Sequence, residues 1–260
     1  MKRLRIVFIG GGRVVRIILG GWDKTGLLSQ MDVAVCDTSE ETLRTLVAKY
    51  PQISPLPPGG SSVARADIVV LAVHPPAVGE VLASLGTHLR EDAIVVSLVP
   101  KITTRHISGT LGGFSRIARV IPNAPSIIGT GYNPVSFSPG LPDEGRARLR
   151  ALFAPLGGFP EVPEQDLEAY AVITAMGPTY LWFQLYELEK VAGSFGLAPE
   201  KAAEAVEKMA AGAIAAMTSP GLSPEEVMDL VPVRPLAEDE PAITGMYRKR
   251  LPGLYQKLKG

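Results

Sequence analysis

The sequence predicts an α/β protein in which a doubly wound parallel sheet precedes an all-helical domain. Three features support this prediction. Short apolar runs that end in glycine or a polar residue alternate with helical patterns in the first part of the chain. After residues 157–160, alanine, leucine, glutamate and lysine recur at helical spacing. Cys36 is the sole cysteine, so the chain holds no internal disulfide and no thiolate-rich metal site.

Charge and hydropathy limit the partners and the location that we expect. The 26 basic and 26 acidic side chains cancel, which favours a small-molecule partner over nucleic acid or a membrane surface. No apolar stretch approaches the roughly 18 residues that cross a bilayer. The basic and apolar opening is interrupted by glycines too early for a signal peptide and is interpreted as a first strand. The single cysteine fits a reducing, cytoplasmic location. His88 and His106 are isolated, and no metal site is predicted.

The first strands and helices follow from the order of apolar runs. Residues 4–9 form a strand that ends in glycines, and the apolar residues after them have the spacing of a buried helix. Residues 31–36 form a second strand that ends at Asp37. Ser39 and two glutamates then resemble the cap and acidic first turn of a helix. These elements make a complete β-α-β unit.

Further strands and helices extend this pattern to about residue 160. The predicted strands are residues 67–73, 93–98 and 116–121, with 135–138 as an edge strand, and the predicted helices begin at Pro75 and at Pro142. Residues 1–160 are therefore assigned to a dinucleotide-binding domain, and residues 161–260 to a helical domain for substrate binding and dimerisation.

The predicted helical domain contains two long helices, over residues 178–195 and 200–217. The second carries one stripe of apolar and small residues, namely Val206, Met209, Ala210, Ala213, Ile214 and Met217. This stripe fits either the core of one chain or an interface between two chains.

A glycine fingerprint lies between the first strand and the first helix. Gly10, Gly12 and Val15 occupy its three positions, Gly-x-Gly-x-x-Gly/Ala, with valine in the third. The first glycine allows the tight turn, and the second lets the backbone reach a pyrophosphate at the helix N-terminus. We therefore expect a Rossmann-type cofactor site that includes Arg13 and Val14. The alternative is a Rossmann-like scaffold that binds no nucleotide.

Asp37 ends the second strand, where an acidic side chain can accept hydrogen bonds from both ribose hydroxyls of NAD. It would repel the 2′-phosphate of NADP, so NAD is the favoured cofactor. The alternative is that Asp37 only caps the next helix, with Thr38, Ser39 and Arg44 forming a phosphate pocket for NADP.

Five segments carry a resemblance to a known family. They are residues 10–21, residues 73–75, residues 119–125 followed by Gly129 and Gly131, residues 177–180, and residues 196–197 followed by Ala202 and Ala203. The segment 119–125 matches the pattern Arg-x-Met-Pro-Asn-x-Pro except for isoleucine at the methionine, and is the most specific of the five. With these segments the chain resembles pyrroline-5-carboxylate reductase over nearly its full length.

The resemblance implies an NAD(P)-dependent oxidoreductase of the proline-biosynthesis type. Such an enzyme transfers hydride from a reduced nicotinamide to the carbon of a cyclic imine, and it forms an intertwined dimer whose active sites use both subunits. By the same resemblance, Ala72, Val73 and Pro75 would line the cofactor. Asn123 would hold the carboxamide or the loop around it.

The sequence departs from the family on the substrate side. The family's Ser-Pro-Gly-Gly-Thr-Thr loop is replaced by residues 231–236, and Met176 replaces a serine. Arg234 is either a residue that binds the substrate carboxylate in place of this loop or a solvated loop residue. His74 replaces a lysine and is either a proton donor or a neutral hydrogen-bond partner. Tyr180 either donates a proton, or positions the substrate, or only packs against neighbouring side chains.

Three other functions are compatible with these departures. The first is reduction of a different imine or carbonyl compound. The second is a deazaflavin-dependent NADP reductase, against which residues 177–180 and Asp37 argue. The third is a catalytically silent nucleotide-binding sensor or assembly protein. The sequence leaves the substrate, the direction of reaction and the oligomer size beyond a dimer open.

Overall fold

A computed structural model describes residues 3–218 and 221–259 of the chain. Met1 and Lys2, which open the predicted first domain, lie outside the described residues. So do Ser219, Pro220 and Gly260, which fall in the predicted helical domain. No helix in the part of the chain that the structure describes is long and apolar enough to cross a membrane.

Nine strands form a large sheet and a small one. In chain order they are β1 (Arg5–Ile9), β2 (Asp32–Cys36), β3 (Ser54–Leu56), β4 (Ile68–Leu71), β5 (Ile94–Ser97), β6 (Ile117–Val120), β7 (Gly131–Tyr132), β8 (Val135–Phe137) and β9 (Gly157–Gly158). The seven-stranded sheet has the order β3-β2-β1-β4-β5-β6-β8, and β7 pairs with β9. All pairs in the large sheet are parallel except β6 with β8, which confirms the predicted edge strand.

Helices cover both faces of the sheet. They are α1 (Arg13–Lys24), α2 (Glu40–Lys49), α3 (Val78–Leu85), α4 (Thr104–Thr110), α5 (Asp143–Phe153) and the short α6 (Leu167–Tyr170). Because side chains alternate along a strand, Phe8 packs in the core under α1, α2 and α5, whereas Val7 packs in the core under α3 and α4. The two buried cores confirm the predicted doubly wound α/β architecture.

The chain forms two compact units. The first runs to Met176 and includes the residues from Tyr255 onward, and the second is Gly177–Leu254. The first unit therefore extends beyond the predicted boundary near Pro160. Composition changes at that proline, but Glu164 and Glu168 still pair with Arg119 of β6 and hold this segment in the first unit.

Every regular element in the described part of the second unit is helical. The helices are α7 (Pro178–Ser194), α8 (Pro199–Thr218), α9 (Pro224–Asp229) and α10 (Glu240–Lys259), whose last residues count with the first unit. On α8 the predicted stripe is buried at Val206, but Met209, Ile214 and Met217 are exposed in the single chain.

Candidate cofactor-binding site

Gly10 makes the turn that leads from β1 towards α1. Its φ of +98° lies in the left-handed region, which an L side chain rarely adopts. A Cβ at this position would lie 2.5 Å from the carbonyl oxygen of Ala72. Its N–H donates to the carbonyl of Cys36 at 2.7 Å, which ties the turn to the end of β2. Glycine is therefore required here by both conformation and space.

Gly12 leaves the N-terminus of α1 open. It is the N-cap residue, no side chain caps the helix there, and a Cβ built on it would meet no atom within 4 Å. Of the first helical residues, Arg13 is exposed and Val14 is half-buried. Val15, at the third fingerprint position, packs in the core. Free amides and the helix dipole meet at this opening, so these residues fit the pyrophosphate of a dinucleotide.

Asp37 joins the glycine turn to the end of β2. Its Oδ2 accepts the N–H of Gly11 at 2.6 Å, and its Oδ1 accepts the N–H of Ser39 at 2.8 Å. Ser39, whose side chain accepts the N–H of Thr42, is the N-cap of α2. The residue that caps this helix is therefore Ser39, and Asp37 contacts only the backbone N–H of that residue. Each carboxylate oxygen keeps a further lone pair, and Thr38 is exposed beside it.

Ala72, Val73, His74 and Pro75 follow β4 at the same edge of the sheet. The N–H of Ala72 donates to the carbonyl of Ile9 at 2.8 Å, so this segment lies directly beside the glycine turn. Ala72 and Val73 are half-buried, and His74 is exposed. The structure thus brings the predicted cofactor residues after β1, β2 and β4 together at the carboxyl edge of the sheet.

Asn123 stabilises the loop that follows β6. Its Oδ1 accepts the N–H of Tyr132 at 3.0 Å, and its Nδ2 donates to the carbonyl of Thr174 at 3.3 Å. The side chain is nearly buried. Of the two roles that the resemblance implied, these contacts are those of a residue that holds the loop.

Tyr180 and Arg234 lie in the second unit. The Tyr180 ring packs edge-on against Tyr247 at 6.1 Å, and burial, followed by the neighbouring Tyr247, raises the pKa of Tyr180 above its ordinary value. Both tyrosines line an apolar cavity of about 430 Å³ between α7 and α10. Arg234 forms an ion pair with Glu240, so its guanidinium already has a carboxylate partner.

Two polar features of the first unit were not predicted from the sequence. Arg119, within the most specific family segment, is buried and paired with Glu164 and Glu168. Lys101, after β5, has a left-handed backbone. Of these two residues only Arg119 has a signal in the sequence, because it opens the segment 119–125 that carries the most specific part of the family resemblance. Among the described residues, no group of three or more His, Cys, Asp or Glu side chains is placed to hold a metal ion.

The site and the fold define a class of protein. A doubly wound sheet whose carboxyl edge carries a glycine turn, an open helix N-terminus and an acidic residue after the second strand is typical of dinucleotide-binding proteins. A family model described as NADP oxidoreductase, coenzyme F420-dependent, matches residues 5–101. That match lies wholly within the first unit.

Comparisons over longer spans point to one group of enzymes. The pyrroline-5-carboxylate reductase of Methanosarcina acetivorans is 24% identical over 234 residues, which are 89% of this chain and 85% of that relative. The structure of a pyrroline-5-carboxylate reductase from Coxiella burnetii is 26% identical, with a TM-score of 0.71 over 99% of this chain and 95% of its own. The chain is similar to pyrroline-5-carboxylate reductases over nearly its full length, which confirms the resemblance that the motifs indicated.

A third comparison supports the fold alone. The structure of Plasmodium falciparum pyrroline carboxylate reductase with NADP bound has a TM-score of 0.82 over 100% of this chain and 98% of its own, at 18% identity. The α/β architecture with a helical second part is therefore shared with a solved dinucleotide-binding reductase.

Proposed function

We propose that this protein is an NAD(P)H-dependent reductase that transfers hydride to the C=N carbon of a small cyclic imine. The observation that carries the proposal is the open N-terminus of α1 at Gly12, in a chain similar to pyrroline-5-carboxylate reductases along most of its length. When bound, the reduced nicotinamide supplies the hydride. The chain's own residues hold, orient and shield the reactants.

The cofactor residues act through position and not through acid chemistry. The amides at Gly12 and Arg13 would hold the pyrophosphate, and Ala72, Val73 and Pro75 would flank the dinucleotide. A cationic iminium needs no strong acid while it accepts hydride, so the main demand is a donor-to-carbon distance of about 3 to 3.5 Å. His74 is exposed at this edge and would donate a proton or a hydrogen bond to the substrate.

Asp37 would make NADH the preferred coenzyme. Its carboxylate lies beside the glycine turn, where it would accept the ribose hydroxyls and repel a 2′-phosphate. At about 5 Å and an effective dielectric constant near 20, the repulsion is about 3 kcal/mol per unit charge, or roughly a hundredfold in affinity. NADP remains the second candidate, because the Plasmodium falciparum reductase holds NADP.

Coenzyme titrations of Asp37→Asn test this role. The substitution keeps one oxygen acceptor and removes the charge, so the NADH preference should fall by about ten- to a hundredfold. Asp143→Asn, which removes a fully exposed carboxylate on α5, should leave the preference unchanged. An unchanged preference in Asp37→Asn would show that the charge does not select the coenzyme.

The exposed apolar surface of the second unit supports a homodimer. Phe183 on α7 is 67% exposed and Met217 on α8 is 70% exposed in the single chain. Large apolar side chains concentrated on two helices are typical of a protein interface. Size measurement of the wild type should give a dimer, and Met217→Glu together with Met209→Glu should shift the population towards monomer. A monomeric wild type would contradict the proposed interface.

The segment that replaces the family's hydroxyl loop favours a second candidate substrate class. Val231, Val233 and Leu236 are exposed and apolar, and Arg234 is paired with Glu240. An altered substrate, another imine or a carbonyl compound, fits this change. A catalytically silent nucleotide sensor would also fit it.

We further propose a cytoplasmic location, since Cys36 is a free thiol and the coenzyme is a cytoplasmic metabolite.

Loss of reduced-nicotinamide absorbance tests the proposed activity. Purified protein with NADH or NADPH is mixed with pyrroline-5-carboxylate, then with other cyclic imines and keto acids, against controls without substrate. Turnover of an imine is the expected result. Tight NADH binding with no turnover of any substrate would contradict the reductase and favour the sensor.

A further inference from the structure

Lys101 has an unusual backbone conformation at the carboxyl end of β5. Its φ is +72°, and it is the one non-glycine residue with positive φ in the described part of the chain. Left-handed backbone is costly for a long L side chain and is accepted mainly by glycine and asparagine. Such strain persists only where neighbouring structure imposes it, and it clusters at functional sites.

A buried ion-pair cluster imposes this conformation. The N–H of Lys101 donates to Oε1 of Glu168 at 3.1 Å, and the same oxygen accepts from Nη2 of Arg119 at 2.6 Å. The Arg119 side chain is only 1% exposed. Its Nη1 also reaches Glu164 at 3.1 Å, and Glu164 accepts the N–H of Thr104 at 2.6 Å. The β5–α4 loop is therefore fixed at Lys101 and again at the start of α4.

Lys101 lies at the same edge of the sheet as the proposed cofactor site. Ser97 of β5 pairs with Leu71 of β4, and the N–H of Leu98 donates to the carbonyl of Leu71 at 2.9 Å. Lys101 thus follows β5 as His74 follows β4. Ligands of doubly wound sheets bind outside the carboxyl ends of such neighbouring strands.

The charge of Lys101 is available to a ligand. The side chain is exposed, and it forms no ion pair with any residue that the structure describes. It is poorly placed for the 2′-phosphate of NADP. That group would lie at the end of β2, three strand spacings from β5, or roughly 14 Å away. A ligand that lies beyond the coenzyme's ribose, at the reacting end, is the better match.

We propose that the ammonium group of Lys101 binds the carboxylate of the imine substrate and so determines its specificity. This inference rests on the proposed reductase function. A lysine is a compact point charge that suits a single carboxylate, and it would take over the role of the hydroxyl loop that residues 231–236 lack. The strained backbone is then the cost of presenting this charge beside the cofactor.

Two substitutions separate the charge from the strain. Lys101→Met removes the charge and keeps the strain, whereas Lys101→Gly removes both and should raise the midpoint of urea unfolding. Lys49→Met, at the exposed end of α2, is the matched loss of a lysine charge. Each variant and the wild type are assayed with pyrroline-5-carboxylate and with 1-pyrroline, which has the same ring without the carboxylate.

The expected result is a loss of selectivity for the carboxylate. The wild type should prefer pyrroline-5-carboxylate by at least tenfold in kcat/KM, and both Lys101 variants should bring that ratio near one, mainly through KM. The KM for NADH should stay within twofold, and Lys49→Met should match the wild type. Equal selectivity in wild type and Lys101→Met would overturn the role of Lys101 while leaving the reductase function intact.

A binding measurement decides the case in which no imine is reduced. Proline is then titrated into the protein–NADH complex, and the fluorescence of bound NADH is followed. Carboxylate binding that weakens at least tenfold in Lys101→Met but not in Lys49→Met would support the site although the proposed reaction had failed. No binding, or equal binding in all three proteins, would overturn the site as well.

Discussion

Replacing Gly12 by alanine should remove dinucleotide binding with little effect on folding. The residue has an ordinary φ of −69°, and the added methyl group meets no atom of the chain within 4 Å. Alanine is a poorer N-cap than glycine, so the free energy of unfolding should fall by no more than about 1 kcal/mol. The methyl group would occupy the space through which a pyrophosphate approaches the amides of α1. Affinity for NADH should fall by at least about tenfold, or 1.4 kcal/mol.

Gly10→Ala is the contrasting substitution in the same turn. The φ of +98° alone should cost about 1–3 kcal/mol. The added Cβ would also lie 2.5 Å from the carbonyl oxygen of Ala72, so the backbone has to move. Gly10→Ala should therefore lower the free energy of unfolding clearly more than Gly12→Ala does.

Urea unfolding and fluorescence titration with NADH measure the two effects separately. The reasoning requires that Gly12→Ala unfold close to the wild-type midpoint and bind NADH weakly. If Gly12→Ala binds NADH as tightly as the wild type, no pyrophosphate lies on the N-terminus of α1. If Gly10→Ala is as stable as the wild type, the close approach to Ala72 does not constrain the turn.

Two further predictions concern ion pairs. Arg119→Met leaves the carboxylate of Glu168 buried without its partner, so urea unfolding should show a loss of about 3–5 kcal/mol, and adding Glu168→Gln should restore part of it. An Arg119→Met protein of wild-type stability would refute this. The hydrogen bond from Arg90 holds the pKa of Asp92 below its usual 3.8, so the pair stabilises the fold above about pH 4 and loses this effect as the pH falls through the lower folded-state pKa. Because Asp92 is 62% exposed, Asp92→Asn should cost at most about 1 kcal/mol at pH 7 and less at pH 2, and an equal cost at both pH values would contradict the pairing.

Strong local patterns predicted most of the first unit. Continuous apolar runs marked β1, β2, β4, β5 and β6, because central parallel strands are buried on both faces. Five elements of the first unit were not predicted, namely β3, β7, β9, α4 and α6. The strand β3 contains Pro55 and lies at the sheet edge, and α4 buries only Ile107 among polar residues. Helices α9 and α10 were also not predicted.

The candidate site likewise contains residues that could be predicted from the sequence and residues that could not. Gly10, Gly12 and Asp37 could be predicted because the glycine turn and the end of β2 form a local β-α-β pattern. In the cluster around Lys101, Glu168 contacts Arg119, which is 49 positions away in the chain, and Lys101, which is 67 positions away. No spacing rule connects residues so far apart. For Arg234 the sequence allows either a ligand of the substrate carboxylate or a solvated loop residue, and the structure pairs it with Glu240, six residues along the chain.

Hydride transfer from labelled coenzyme tests the central claim most directly. The protein is incubated with NADH deuterated at both positions of nicotinamide C4 and with pyrroline-5-carboxylate, and the product is analysed by mass spectrometry. A reductase of the proposed kind gives proline that carries one deuterium at the former imine carbon. Proline without deuterium, or no product from this or any other cyclic imine although NADH binds, would contradict the proposed function.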